Sequence, residues 1–381
     1  QENVKGMRVV KSFVREDYEK NKFGKASEEV CADFTKAERL VALNSPVMQI
    51  AMYTAMIIVS YVGAKLIING GASEMGVGAL SSMFTYGMQI LSSLMMLSMI
   101  FVMITISNAS IQRICEVLTE ESTIENPENP KTDVPDGSID FNGVSFKYHA
   151  GAEKNALTDI DLHIKSGETI GIIGGTGSSK SSLIQLISRL YDATEGEVLV
   201  GGRNVKEYDI ETLRNAVAMV LQKNELFSGT IKENLRWGNE NATDEELEQA
   251  CKLACADEFI QTFPDKYDTY IEQGGTNVSG GQKQRLCIAR ALLKKPKVLI
   301  LDDSTSAVDT KTDACIQKSF TDYIPNTTKI IIAQRVSSVQ HADQIVVLDE
   351  GKIVASGKHQ ELLACCDIYR EVYESQQTGE H

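Results

Sequence analysis

The chain has 381 residues, carries 38 Lys and Arg against 52 Asp and Glu, and has a formal net charge of −14. That length accommodates two domains. Such an acidic balance argues against a nucleic-acid partner, because gripping a phosphate backbone calls for clustered cations. The charge is unevenly spread: residues 1–118 carry 11 Lys/Arg and 10 Asp/Glu, whereas residues 119–381 carry 27 and 42. The acidity of the second part reads as a solvated cytoplasmic surface. The eight cysteines show no Cys-x-x-Cys spacing and no companion histidine pattern, which disfavours a zinc site. Cys251 and Cys255, and the adjacent Cys365 and Cys366, read as reduced thiols of a cytosolic domain.

In chain order, residues 1–45 are polar and helix-prone, with apolar residues at Val4, Met7, Val10 and Phe13 or Val14 at helical spacing. The chain opens inside this pattern, so a preceding part is expected. Val47 to Ala64 holds no charged residue, and Met75 to Gln112 holds none across 38 positions. About 20 apolar residues span a bilayer core. Membrane helices are therefore predicted at about 46–68 and 76–106, joined by a turn at Asn69–Glu74. Nine Lys/Arg precede the first span and the turn has none, so the positive-inside tendency puts the N-terminal extension and the second domain in the cytoplasm. Lys65 snorkels outward near the far interface. The competing reading, a buried helical hairpin in a soluble protein, is disfavoured by length. Ten of the twelve methionines lie between Met48 and Met103, soft side chains suited to lipid, neighbouring helices or a substrate cavity.

Residues 119–137, charged and containing Pro127, Pro130 and Pro135, predict a linker. Ile139, Phe141, Val144 and Phe146, then Leu157, Ile160, Leu162 and Ile164, predict antiparallel strands. The later apolar runs Ile170–Ile173, Val298–Leu301 and Ile330–Ala333 alternate with helical patterns, as in an α/β domain with buried parallel strands.

The stretch Gly174-Gly175-Thr176-Gly177-Ser178-Ser179-Lys180-Ser181-Ser182 follows the strand at Ile170–Ile173 and opens a helix containing Leu183, Leu186, Ile187 and Leu190. A glycine-rich loop between strand and helix start is a phosphate cradle: backbone N–H groups and the positive helix end face the anion. In that context Lys180 reaches the β- and γ-phosphates of a nucleotide and Ser181 binds Mg²⁺. Serine replaces the usual glycine at 179, with a negative φ and its hydroxyl turned away as the expectation. The run Val298–Leu301 ends in Asp302 and Asp303, and a strand-end carboxylate beside such a loop organises Mg²⁺.

Between these two lies Ser279-Gly280-Gly281-Gln282, followed by Lys283-Gln284-Arg285 and Ala289-Arg290-Ala291-Leu292. This segment resembles the signature motif of ATP-binding cassette (ABC) proteins, and the resemblance extends over nearly the whole chain. It implies that Tyr148 stacks on adenine. It implies that Gln222, ahead of Leu226–Ile231, senses Mg²⁺ and the membrane domain, so that the metal falls to Ser181, Gln222 and Asp302. It implies that Ser306–Asp309 couples two nucleotide sites and that Glu272–Gly275 faces the membrane domain, while Gln1–Phe13 resembles the extension entering a fifth membrane helix. The implied fold is a membrane all-α helical segment (1–118), the linker, and an α/β P-loop ATPase domain (138–375) with an antiparallel β subdomain and a helical subdomain, ending in a tail at 376–381.

Two positions depart from a hydrolytic family member. Asp303 stands where the family has a glutamate general base, one methylene too short to hold the attacking water well. Gln334 stands where the family has a switch histidine, and an amide supplies neither charge nor a shuttled proton. The signature is intact. The pattern resembles the degenerate subunit of a heterodimeric exporter of the multidrug or lipid type. Its expected partners are ATP, Mg²⁺, a second ABC half-transporter, membrane lipid and an unknown transported solute. The alternatives are an ATP-binding regulatory module without transport and a homodimeric exporter.

Overall fold

The structure, a computed structural model, describes residues 6–70, 76–149, 151–175, 177–303 and 310–378. Of the turn expected at Asn69–Glu74, Asn69 and Gly70 are instead the last residues of a long helix, and 71–74 lie outside the described residues, as do the coupling segment Ser306–Asp309, Thr176 and residues 1–5. The chain divides into two compact units, Gln1–Glu121 and Ser122–His381.

The first unit is helical: α1 (Met7–Ser12), α2 (Glu16–Gly70) and α3 (Val77–Leu118). A break at Val14, whose φ of 51° lies in the left-handed region, separates α1 from α2. The two long helices run well beyond the apolar spans at 46–68 and 76–106, because charged residues end a hydropathy window without ending a helix. Each contains an apolar window of mean hydropathy 1.7 or 2.2, with 6% and 0% of the window buried, long enough to cross a bilayer. The apolar faces therefore need a covering that the helices do not give each other. Pro46 lies inside α2, where the charged stretch gives way to the uncharged one, and it cannot donate to the carbonyl of Ala42. Beside it, Asn44 Nδ2 donates to Ser98 Oγ of α3 at 2.7 Å.

The second unit contains two main sheets. The antiparallel one has the order β2-β1-β4-β5, from β1 (Ile139–Phe146), β2 (Leu157–Ile164), β4 (Glu195–Val200) and β5 (Arg203–Asn204). The other has the order β12-β11-β3-β10-β9-β6, from β3 (Thr169–Ile173), β6 (Val217–Val220), β9 (Val298–Asp302), β10 (Thr328–Ile332), β11 (Gln344–Asp349) and β12 (Lys352–Gly357). All its pairings are parallel except β11 with β12. A short pair, β7 (Gly229–Thr230) and β8 (Tyr270–Ile271), lies apart. The helices are α4 (Lys180–Ile187), α5 (Ile210–Ala216), α6 (Ile231–Arg236), α7 (Asp244–Leu253), α8 (Asp257–Ile260), α9 (Gly280–Leu293), α10 (Thr310–Tyr323), α11 (His359–Cys365) and α12 (Asp367–Thr378).

The central strands carry the uninterrupted apolar runs Ile170–Ile173, Val298–Leu301 and Ile330–Ile332 because both faces are covered. Ile170, Ile172, Ile300, Ile330 and Ile332 point to a core shared with α4 and the antiparallel sheet. Leu299, Leu301, Ile331, Ile345 and Val347 point the other way, to a core with Leu247 of α7, Leu286 of α9 and Phe320 of α10. The period-2 alternation of a strand thus feeds two cores from one uninterrupted run. The linker is docked on this unit: Asn126 Oδ1 accepts from Ile210 N at 2.8 Å at the start of α5, and Lys131 N donates to Glu207 O at 2.9 Å. Residues 376–378, read from sequence as tail, continue α12.

Candidate functional site

Because β3, β10 and β9 are parallel neighbours, their C-terminal ends emerge side by side. The residues that follow them, Gly174, Gly175, Gly177–Ser179, Gln334 and Asp303, meet there, as does Gln222 beyond β6. Crevices at the carboxyl ends of open parallel sheets are where such folds bind ligands. Here the crevice is a cleft of about 530 Å³ lined by Gly174, Gly175, Gly177–Ser182, Gln222, Asp302, Asp303 and Gln334, with Val372 of α12.

The loop is shaped by close approach. A Cβ at Gly174 would collide with the carbonyl oxygen of Leu348 and stand 2.6 Å from Ser178 Oγ, so no larger residue fits. Ser179 takes φ 69° and ψ 25°, contrary to the negative φ expected from sequence. The loop needs a left-handed residue at that point to turn into α4, and serine accepts the cost because the strand ends and α4 fix the path on both sides. Lys180 folds back over the loop, its Nζ donating to Gly174 O at 2.7 Å, Gly175 O at 2.8 Å and Ser178 Oγ at 3.2 Å. Burial holds the Lys180 ammonium below its ordinary pKa, while Asp302 and Asp303 pull it back up.

Across the cleft, Ser181 Oγ donates to Asp302 Oδ2 at 2.9 Å. Burial raises the Asp302 carboxyl above the usual carboxylate range, with the Ser181 hydrogen bond and Lys180 opposing. Asp303, at φ 47°, is fixed by its N–H to Ile332 O at 2.9 Å. Its Oδ2 accepts from Gln334 Nε2 at 2.7 Å and from Gln222 Nε2 at 3.4 Å. The loop carrying Gln334 is strapped in turn: Gln376 of α12 donates to Gln334 O at 2.7 Å and accepts from Val336 N at 2.9 Å. Gln376 escapes sequence reading because no local pattern marks a side chain that completes two backbone bonds from forty residues away.

The residues present suit a nucleotide with a hard divalent cation. The cradle tolerates nothing larger than glycine at its base, a lysine lies folded within it, and a hydroxyl and a carboxylate pair at its edge are oxygen donors of the type Mg²⁺ takes. One ammonium faces two carboxylates, so a polyphosphate entering this cleft needs a cation to accompany it.

Other predicted positions lie outside the cleft. Tyr148 is half-exposed; its hydroxyl is 2.7 Å from Ser182 Oγ, and its ring meets Phe146 and Tyr191 edge-on, with centroids 4.9 and 5.2 Å away. Tyr191, which no sequence motif marks, widens that aromatic surface. Ser279–Gln282 form a capping box at the start of α9: Gln282 N donates to Ser279 Oγ at 3.3 Å, and Ser279 N donates to Gln282 Oε1 at 2.9 Å. In the first turn Gly280 is exposed and Gly281 half-buried. Glu272–Gly275 make a tight turn, with Gly275 N donating to Glu272 O at 2.7 Å and Lys283 Nζ closing on Gly274 O at 2.8 Å.

Comparison with known proteins agrees with this layout. The family model described as the ABC transporter transmembrane region matches residues 1–95, and the model described as ABC transporter matches residues 157–306. An uncharacterized ABC transporter ATP-binding protein of Mycobacterium tuberculosis is 40% identical over 380 residues, 98% of this chain and 64% of that protein. The uncharacterized ABC transporter ATP-binding protein YfiB of Bacillus subtilis is 38% identical over 376 residues, covering 99% of this chain and 64% of its own length. The solved structure of a bacterial Atm1-family ABC exporter with ATP bound aligns with a TM-score of 0.88 at 28% identity, over 98% of this chain and 65% of that one. The chain thus spans just under two thirds of the length of these relatives.

Proposed function

The chain belongs to the ABC transporter family, and from that membership we propose that it works as one half of an ATP-driven exporter, its nucleotide-binding domain on the cytoplasmic side. Its own cleft holds ATP–Mg²⁺ and hydrolyses it slowly, while Ser279–Gln282 complete the competent site of a second, different half-transporter. The ATP bound in the solved relative supports the choice of nucleotide. When bound, ATP–Mg²⁺ supplies the phosphoanhydride whose cleavage powers the cycle. Lys180 contributes the cation for the phosphates, Ser181, Asp302 and Gln222 the polar groups for the metal, and the loop N–H groups the cradle.

The observation that carries the slow-hydrolysis part is the pair Gln334–Asp303, 2.7 Å apart, with Gln222 on the same carboxylate oxygen. Two amide donors converge on an oxygen that a general base would need for the proton of water, and aspartate reaches one methylene less far than glutamate. An amide at 334 stabilises the carboxylate without offering a proton of its own.

The test is ATP turnover of the transporter assembled with its partner. Asp303→Ala is expected to lower it less than about threefold, and Ser279→Arg, which puts a bulky cation where the partner's nucleotide must sit, by about 10²–10⁴-fold, the size of effect a lost general base has. Equal damage from the two substitutions would make Asp303 a working base and end the degenerate-site reading.

A further inference from the structure

Cys255 and Cys315 are far apart in sequence, yet their sulfurs stand 2.8 Å apart, the Cys255 thiol donating. A disulfide is about 2.05 Å long, so bond formation needs an approach of less than about 1 Å. Among the described residues no other two cysteine sulfurs are hydrogen-bonded; Cys251, Cys287 and Cys366 are buried, and Cys31, Cys115 and Cys365 are exposed.

The two thiols sit on neighbouring elements that share one core. Cys255 follows the end of α7, at φ 50°, and its backbone is held from two sides: its N–H donates to Lys252 O at 3.1 Å, and Arg285 Nη1 of α9 donates to its carbonyl at 2.8 Å. Arg285 also lies over the ring of Phe259, 4.7 Å from its centroid. The position of Cys255 is thereby tied to the helix that begins at Ser279. Cys315 is exposed on α10, whose first turn carries Asp313, the acceptor of Ser338 Oγ at 3.1 Å in the segment beyond Gln334.

We propose that Cys255 and Cys315 are a redox modification site, closed into a disulfide by a low-molecular-weight disulfide such as oxidised glutathione. Exposed Cys315 is the entry point: its thiolate attacks one sulfur of the oxidant, the oxidant's S–S bond breaks, and one glutathione leaves as thiolate. Cys255 then gives its proton to solvent, its sulfur attacks Cys315 Sγ, and the second glutathione leaves. Two protein thiols lose two electrons and two protons, and the oxidant becomes two thiols. Burial pushes the Cys255 thiol up to about 12, and the neighbouring Cys315 thiol adds to the effect while Arg285 opposes it. Capping Cys315 removes that neighbour's contribution, while burial, the larger cause, remains. The bond, once closed, adds a covalent tie between the end of α7 and α10.

The experiment uses the full-length chain purified from membranes, incubated with oxidised glutathione, digested without reductant and examined by mass spectrometry. The expected product is a peptide pair joined through Cys255 and Cys315, lost on adding dithiothreitol, together with a rise in Tm of about 3 °C or more. Cys255→Ser and Cys315→Ser should both abolish the pair and the rise, and Cys255→Ser should leave glutathione on Cys315. A mixed disulfide persisting on Cys315 of the unsubstituted protein, Cys255 joined to any other cysteine, or an unchanged Tm would each overturn the proposal. The readouts are covalent and thermal, so they stand whether or not the chain hydrolyses ATP.

Discussion

The phosphate loop and the turn at Ser279 are both rich in glycine and serine, and both lead into a helix, yet they are built in opposite ways. The loop depends on distant parts of the chain: Leu348 of β11 limits Gly174 and Asp302 of β9 receives Ser181, while Lys180 is folded over the loop's own carbonyls of Gly174 and Gly175. The turn depends on itself, with Ser279 and Gln282 satisfying each other and Gly280 left bare. Glycine content alone therefore does not make a cradle; converging strand ends do. A self-sufficient cap with an exposed backbone is suited to being offered to a second molecule.

That contrast breaks most readily at Lys180. Lys180→Ala removes the loop's cation and should cut photolabelling of this chain by azido-ATP more than about tenfold, since hydrogen bonds to charged groups contribute about 1.5–3 kcal/mol. Equal loss of labelling of this chain from Ser279→Ala would erase the distinction between the two regions. A smaller effect is expected from Tyr148→Ala. Base–aromatic stacking contributes about 1–3 kcal/mol, and the lower end is expected because the ring is pinned by Ser182 outside the cleft; a nucleotide titration should show about a fivefold weaker affinity.

Stability tests sharpen the comparison further. Ser279→Ala deletes the cap oxygen and should lower stability by about 1 kcal/mol in thermal unfolding, whereas Ser279→Asp should keep most of it. An unchanged Tm for Ser279→Ala would mean that the cap is not what holds the turn. The smallest effect belongs to Ser179→Gly, expected to raise stability by up to about 1 kcal/mol, because glycine occupies the left-handed region without the penalty serine bears. A loss of stability there would show that the serine side chain itself supports the loop.

Much of this was legible in the sequence for identifiable reasons. Ile170–Ile173, Val298–Leu301 and Ile330–Ala333 announce strands covered on both faces, since only a doubly buried strand has no polar alternation. The order of loop, signature and strand-end acids likewise located the cleft residues, because a phosphate cradle restricts which residue types its backbone tolerates. What stayed hidden is what local composition does not encode. The sign of φ at Ser179 is imposed by the strand and helix on either side. The extent of α2 and α3 follows helix propensity past the last apolar residue, and the strap from Gln376 and the meeting of Cys255 with Cys315 depend on tertiary folding.

The length of α2 has a mechanical corollary. With 55 residues it is about 80 Å long, against about 30 Å of hydrocarbon, and its charged portion from Glu16 to Ser45 alone extends about 45 Å. Pro46 stands at the foot of that arm, inside the helix, where the carbonyl of Ala42 loses its donor and resistance to bending is lowered. Leverage then sets the scale: a tilt of about 5° at the proline carries Glu16 through about 4 Å, more than the reach of a hydrogen bond, so a displacement too slight to disturb packing within the bilayer is magnified into one that can make or break contacts at the tip.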